Sequence, residues 1–226
     1  MTRHVYVLVA GVVAAILAAA PATAQSRFHP YAGASIGSFS VSADEVDGRS
    51  VAGGLFGGVS LGKHVDLDVE FVLPADTFTR SYTGPSVSFA GPGASYDEIV
   101  RGAVITRFDK SREVSATLSV VVVLRPVPGK RLTPGLILGV TNHRVNDRTV
   151  YTPVSIPEGI DPQHPSVVGS IETQSRNIGG PTFGANLAIA LTRQLSIVPD
   201  VRYDYGSIGD EINNSFRTSV RTQWRF

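Results

Sequence analysis

FRTSVRTQWRF, residues Phe216 to Phe226, decides how this chain is read. One parity holds Phe216, Thr218, Val220, Thr222, Trp224 and Phe226; the other holds Arg217, Ser219, Arg221, Gln223 and Arg225. Successive side chains of a strand point to opposite faces, so this segment has one apolar, aromatic face and one cationic face. The sequence then stops on Phe226. A soluble domain seldom ends mid-strand on an aromatic ring, whereas a strand with hydrocarbon on one side and its rings at the bilayer boundary does so naturally.

The same rhythm runs backwards through the chain. In His64 to Leu73, Val65, Leu67, Val69, Phe71 and Leu73 share one face, while His64, Asp66, Asp68 and Glu70 share the other. Three carboxylates on one face do not suit the core of a packed sandwich; they suit solvent or a polar lumen. Val114 to Leu124 sets Val114, Ala116, Leu118, Val120, Val122 and Leu124 against Ser115, Thr117 and Ser119. Leu195 to Tyr205 sets Leu195, Ile197, Val201, Tyr203 and Tyr205 against Ser196, Asp200, Arg202 and Asp204. Phe28 to Val41, Ser50 to Leu61, Leu132 to Asn142 and Ile178 to Leu191 alternate with less contrast and complete a set of eight.

The connections sort into two kinds that alternate. Gly62-Lys63, Pro126 to Arg131 and Thr192 to Gln194 are short; Ala43 to Arg49, Ala75 to Glu113, Arg144 to Asn177 and Gly206 to Asn213 are longer. Tight turns at one end and long loops at the other are the asymmetry of a bacterial outer-membrane barrel. The expected fold is all-β: an eight-stranded antiparallel up-and-down transmembrane β-barrel. Ile99 to Phe108 also has strand character. Counting it as membrane-spanning would make the number odd, so it is assigned to the second external loop, as a strand extension partnered by the flank near Arg112. Pro153, Pro157, Pro162 and Pro165 imply little regular structure in the loop from Arg144 to Asn177.

Composition agrees. Charged residues make up 17% of the chain and its formal net charge is +1, so no basic field favours nucleic acid. Cysteine is absent, which excludes disulfides, thiolate metal sites and Cys nucleophiles. Arg3 and His4, the apolar run Val5 to Ala20 and the small-residue motif Ala22-Thr23-Ala24 read as a secretory signal peptide over residues 1–24, leaving 25–226 as the barrel domain. No later segment is long and apolar enough for a spanning helix, so a membrane would be crossed by strands.

The signal peptide, the terminal Val220-Arg221-Thr222-Gln223-Trp224-Arg225-Phe226 and two hairpin patterns, Leu118 to Val140 and Gly184 to Tyr205, together resemble the small outer-membrane β-barrels of bacterial surface proteins, the OmpA-like or porin-family type. No OmpA-type periplasmic peptidoglycan-binding domain is expected from these residues, so the resemblance does not imply cell-wall anchoring by that route. The resemblance implies a Gram-negative-type outer membrane, outer-membrane lipids and lipopolysaccharide as surroundings, and a terminal strand (Val220, Thr222, Trp224, Phe226) read by the barrel-assembly machinery.

Candidate chemistry is sparse. Asp66, Asp68, Glu70, Asp200, Arg202, Asp204, Arg217, Arg221 and Arg225 should point inward as lumen ion pairs, since an eight-stranded barrel is just wide enough for side chains to fill. If Asp204 faces Arg217, Asp200 faces Arg221 and Arg202 faces Ser219. A salt-bridged structural plug is the expected role, with an ion path as the alternative. His164-Pro165-Ser166, with Glu158 and Asp161 nearby, has the residue types of a lipid hydrolase but lies in a Pro-rich loop without an orienting frame. The histidines His29, His64, His143 and His164 lack metal-ligand spacing, and Asp44, Glu45 and Asp47 read as a solvated loop tip. Gly53-Gly54 and Gly57-Gly58 lack the Lys-Ser/Thr of a phosphate loop and read as close strand approach. No catalytic residue, metal or cofactor is expected. Function falls to the external loops: a monomeric surface protein with an adhesive or envelope-integrity role toward a host or cell-surface ligand, or else a narrow porin-like channel, an outer-membrane lipid A-modifying hydrolase, or a soluble periplasmic ligand binder.

Overall fold

The structure, a computed structural model, describes residues 28–43, 47–88, 102–129, 131–164, 168–208 and 211–226. The expected signal peptide, Asp44, Glu45, Pro165 and Ser166 lie outside the described residues. Nine strand segments follow one another: β1 (Phe28–Ala43), β2 (Asp47–Leu61), β3 (Val65–Pro74), β4 (Thr77–Ser88), β5 (Ala103–Leu124), β6 (Leu132–Ser155), β7 (Ser170–Ala190), β8 (Leu195–Ile208) and β9 (Glu211–Arg225). Every pairing is antiparallel. β9 returns to β1 (Gly33↔Gln223, Gly37↔Ser219), and β3 pairs across to β5 (Val65↔Leu124 to Val72↔Thr117). β3 and β4 lie end to end along β5, so the ring closes with eight staves. Closure leaves no backbone edge within the barrel, which is what a hydrocarbon surrounding demands.

The broken stave has a local cause. Proline lacks the N–H that would continue the ladder, and β3 ends at Pro74. The next two amides are held by β2: Ala75 N–H donates to Val51 O at 2.8 Å and to Ser50 Oγ at 3.1 Å, and Asp76 N–H to Ser50 Oγ at 3.0 Å. From Thr77 the chain continues along β5 alone, with Thr77↔Glu113 rising to Pro85↔Ile105.

The two longest external loops of the sequence reading are therefore strand. Segments of Ala75 to Glu113 form β4 and the outer half of β5; segments of Arg144 to Asn177 form the outer half of β6 and the start of β7. Residues 103–108 do extend a strand, but they are continuous with Arg112 rather than partnered by it; their neighbours are β4 and β6. Pro153 does not stop β6. It pairs with Thr106 beside a register irregularity, while Pro157 and Pro162 fall in the connection after Ser155. The result is a four-stranded sheet, β4-β5-β6-β7, standing beyond the rim at the end opposite the short turns.

Two further corrections concern β5 and the last hairpin. The alternation Val114 to Leu124 is interrupted: Val114 pairs with Val145 and Ala116 with Arg144, leaving Ser115 as an extra residue whose hydroxyl donates to Arg144 O at 3.2 Å. A bulge of one residue reverses parity. Val114 therefore points inward, while Leu118, Val120, Val122 and Leu124 point outward, with Thr117 and Ser119 inward. In the last hairpin Arg202 pairs with Arg217, Asp204 with Ser215, Asp200 with Ser219 and Val198 with Arg221. The expected Asp204–Arg217 and Asp200–Arg221 register is thus off by two residues. A slip of two preserves which face each side chain occupies, and the charges pair along β8 (Arg202–Asp200), diagonally across the hairpin (Arg221–Asp200) and across the lumen to β3 (Arg202–Glu70, Arg221–Asp68).

The outer wall is apolar. Ile36, Val51, Leu55, Leu136, Leu138, Val140, Phe183, Val220 and Trp224 are all exposed, Leu55 by 68%. Such a continuous belt far exceeds the patches of soluble monomers and is covered by lipid. Tyr203, Tyr205, Phe216 and Phe71 ring the belt toward the extended sheet; Phe28, Trp224 and Phe226 ring it toward the short turns. Of the paired glycines, Gly58 faces inward, where a Cβ would sit 2.6 Å from the Tyr31 ring, and Gly57 faces outward, with nothing nearer than 3.7 Å.

Candidate functional site

The inner wall carries charge at the short-turn end and hydrocarbon at the other. Asp66, on β3, receives Arg125 Nε at 2.6 Å. Arg125 stands just past β5, where it extends the inward parity of Thr117, Ser119, Val121 and Val123. Above it, Asp68 accepts from Arg221 Nη2 at 2.8 Å and from the Tyr31 hydroxyl, and the Arg221 guanidinium lies 3.8 Å over the Phe56 ring. Arg202 joins two carboxylates, Glu70 at 3.0 Å and Asp200 at 2.8 Å. Arg217 stands 3.6 Å from Glu70, and Arg221 stands 3.7 Å from Asp200. Ser35 donates to Glu70 at 3.0 Å and Ser219 to Asp200 at 3.2 Å.

One level higher the partners become neutral. Asp204 accepts from Thr141 at 3.1 Å, from Ser215 at 2.9 Å and from Thr182, and His143 Nε2 lies 3.8 Å away. The His143 Nδ1 atom and the Thr117 hydroxyl share a hydrogen bond of 2.8 Å. Above this level Phe39, Val41, Ala52, Val72, Phe78, Val114, Val145 and Ile178 form a buried apolar cluster. A cavity of about 20 Å³ remains among Phe39, Arg112, His143 and Ile178, room for about one water.

Of the residues singled out in the sequence, Asp66, Asp68, Glu70, Asp200, Arg202, Asp204, Arg217 and Arg221 are all buried inside the barrel, and Arg225 is half-buried at its short-turn mouth. Val220, Thr222, Trp224 and Phe226 face out. The sequence reading missed Tyr31, Arg125, His143 and the hydroxyls of Thr117, Thr141 and Thr182. The parity of β6 (Ile137, Thr141, His143, Val145 inward) carries a signal for His143; nothing local in the sequence brings Tyr31 to Asp68. Glu158, Asp161 and His164 lie in the β6–β7 connection, far from the lumen charges in the fold, with His164 N–H donating to Asp161 O at 2.9 Å. Among the described residues no group of three or more His, Asp or Glu side chains is placed to hold a metal.

The extended sheet is the second surface with chemistry. Register places Tyr82 beside Phe108 and Phe108 beside Tyr151 on one face. Tyr82 and Phe108 stack at 4.8 Å between ring centroids, and Phe108 meets Tyr151 edge-on at 5.4 Å. Lys110 Nζ lies 5.5 Å over the Tyr82 ring, and the Tyr151 hydroxyl donates to Glu172 at 2.9 Å, which raises the phenol pKa. Where this face descends to the rim, Asp147 joins Arg112 at 2.6 Å and Arg176 at 3.0 Å. The opposite face is rich in hydroxyls: Thr79, Ser81, Thr83, Ser111, Thr152 and Thr173. On it the Ser81 hydroxyl, and then Arg107 at 3.0 Å, hold the Asp109 carboxyl below its ordinary range.

Residues 10–226 match the family described as the outer membrane protein beta-barrel domain. Among solved structures, Neisserial surface protein A is 12% identical with a TM-score of 0.47, over 88% of this chain and 97% of that one. OprG of Pseudomonas aeruginosa is 11% identical with a TM-score of 0.43, over 88% and 95%. Ail of Yersinia pestis, solved with the heparin analogue sucrose octasulfate, is 12% identical with a TM-score of 0.42, over 86% and 99%. No curated protein matches the sequence.

Proposed function

Because this chain belongs to the outer membrane protein beta-barrel domain family, we propose that it is a surface recognition protein: a sealed barrel that anchors, carrying an extracellular sheet that binds. The short-turn end of such barrels faces the periplasm and the long end faces outside. The single observation behind the proposal is where the chain spends its polar and aromatic residues. Inside the barrel, Phe39, Phe78, Val114, Val145 and Ile178 belong to one buried apolar cluster. The four strands that outgrow the membrane instead present the Tyr82–Phe108–Tyr151 ladder on one face and a hydroxyl row on the other. Aromatic rings on a rigid sheet supply contact area at low entropic cost. A host or cell-surface ligand is the partner we assign to this sheet; lipopolysaccharide surrounds its base, and the assembly machinery reads Val220, Thr222, Trp224 and Phe226.

The binding role is tested with bacteria that display the protein. The triple variant Tyr82→Ser/Phe108→Ser/Tyr151→Ser should lower adherence to host cells by about tenfold, the effect of losing a central aromatic cluster. Its barrel should still run at a different gel position before and after boiling. Unchanged adherence with the barrel intact would sink the adhesive reading, and increased permeability of the envelope on deleting the gene would put envelope integrity in its place.

The channel reading meets the apolar cluster directly. The protein is expected to give no reproducible single-channel steps in planar bilayers, since a buried apolar cluster stands in the path an ion would take. The double variant Phe39→Gly/Phe78→Gly should give steps. Conductance by the natural protein that disappears with Asp200→Asn or Arg221→Gln would replace the sealed anchor by a pore. The lumen carboxylates are bound by arginines and hydroxyls, which leaves them poor candidates for acid–base work. We therefore assign no enzymatic activity, and unchanged lipid A acylation on expression is the matching expectation.

A further inference from the structure

The periplasmic mouth of the barrel opens into a vestibule of about 870 Å³, lined by His29, Lys63, Asp66, Arg125, Arg193 and Arg225 together with backbone and hydroxyl groups of the short turns. That volume lies in the range of small-molecule sites. Its charge is lopsided. Asp66 supplies the one carboxylate side chain among the lining residues, and Arg125 neutralises it at 2.6 Å; the terminal carboxylate of Phe226 is the other anion at the mouth, against the cations of Lys63, Arg193 and Arg225. Lys63, Arg193 and Arg225 come from three different elements: the β2–β3 turn, the β7–β8 turn and β9. None of the three has a carboxylate within ion-pairing distance among the described residues. The Arg225 Nε atom is buried and has no hydrogen-bond partner, and the same holds for Nε2 of Gln223 one inward position deeper on the same strand.

The chain has means to neutralise such charges and uses them deeper in the lumen. Arg202 and Arg221 each meet two carboxylates. At the mouth it leaves three cations lining one concave space. A guanidinium offers a planar fork of donors that matches phosphate oxygens, and a neighbouring ammonium adds a point charge. We propose that this vestibule is a binding site for a phosphate-bearing ligand presented from the periplasmic side, with Lys63, Arg193 and Arg225 as its anion-binding residues. The phosphate comes either from a free periplasmic phosphate ester or from a phospholipid headgroup of the inner leaflet at the rim. The site is separate from the extracellular sheet, so its failure or success leaves the adhesive reading untouched.

The test uses the full barrel refolded in a phosphate-free glycoside detergent at low salt and titrated calorimetrically with inorganic pyrophosphate. Saturable binding is expected, and Lys63→Gln/Arg193→Gln should weaken it by tenfold or more. Both positions are exposed in turns, so this variant keeps the fold, as its heat-dependent gel shift will verify. Arg225→Gln is the second variant, also expected to weaken binding by at least fivefold. A parallel titration in nanodiscs containing phosphatidylglycerol separates the sources. Competition by the lipid against pyrophosphate identifies the headgroup, whereas undiminished pyrophosphate affinity identifies the free ester. Absence of saturable binding by the natural protein, or an affinity unchanged in the folded Lys63→Gln/Arg193→Gln variant, would overturn the proposal.

Discussion

Gly37→Val should abolish the barrel. Gly37 lies on β1 opposite Ser219 of β9, at the seam where the first strand meets the last. A Cβ there would sit 2.0 Å from the Thr218 carbonyl oxygen and 2.6 Å from Ser219 Cα. Both are backbone atoms of the partner strand, so no rotamer change relieves the clash and the two strands must separate. Separation in lipid exposes N–H and C=O groups that water cannot reach, each at a cost of several kcal/mol. A few such groups exceed the whole stability of an ordinary domain, about 5–15 kcal/mol. The expected outcome is loss of the heat-modifiable folded form and disappearance of the protein from the outer-membrane fraction. Gly53→Val is the control. Gly53 lies on β2 facing the lipid, its nearest neighbour to an added Cβ is the Ser35 carbonyl oxygen at 4.0 Å, and a valine there adds to the apolar belt. It should assemble normally. Assembly of both variants with equal heat resistance would show that the seam does not need the close approach seen at Gly37.

The contrast between these two glycines marks what a sequence can and cannot disclose. Parity was legible wherever charges stood on one face and hydrocarbon on the other, as in Val65 to Leu73 and Phe216 to Phe226. It names the lipid face, the lumen face and the ring of eight staves. It also survives the two-residue error in the β8–β9 register, because a slip of two moves no side chain across the sheet. Parity fails at a bulge. Ser115 is one hydroxyl residue in an alternating run, and nothing distinguishes it from Ser119 until the strand is paired. It fails again where strands leave the membrane. Beyond the rim both faces are wet, so the outer halves of β5 and β6 lose their apolar contrast and read as loops, and the prolines reinforce that reading. Pro153 in fact sits beside an irregularity where its missing N–H is tolerated. The candidate surfaces were legible in the same uneven way. The inward charges could be named from one strand at a time. Their partners could not, because Tyr31–Asp68 and Arg221–Asp68 join residues far apart in sequence, and the Tyr82–Phe108–Tyr151 ladder exists only once three strands are in register.

Arg202→Met should be the most destabilising change among the lumen charges. The Arg202 side chain is fully buried and holds Glu70 at 3.0 Å and Asp200 at 2.8 Å. Its loss leaves Glu70 with Arg217 at 3.6 Å and Asp200 with Arg221 at 3.7 Å, distances at which neither carboxylate is properly hydrogen-bonded by its remaining cation. Breaking a buried pair by removing one partner costs about 3–5 kcal/mol, because the other charge stays behind without water. Methionine keeps much of the volume, so the effect is one of charge and not of a cavity. The folded band should therefore be lost at a markedly lower temperature or urea concentration than in the natural protein. Asp200→Asn/Arg202→Met should recover at least half of that loss, since it removes the carboxylate that Arg202 Nε hydrogen-bonds at 2.9 Å, while Glu70 keeps the Ser35 hydroxyl at 3.0 Å and Arg217 at 3.6 Å. This non-additivity separates a coupled network from a set of independent charges. Arg107→Met provides the scale. Its Asp109 partner at 3.0 Å lies on the exposed face of the extracellular sheet, where an ion pair is worth about 1 kcal/mol or less, and its unfolding midpoint should be nearly unchanged. Equal midpoints for Arg202→Met and Arg107→Met would mean that water reaches the lumen freely, and the barrel would then have to be read as an open path and not as a sealed anchor.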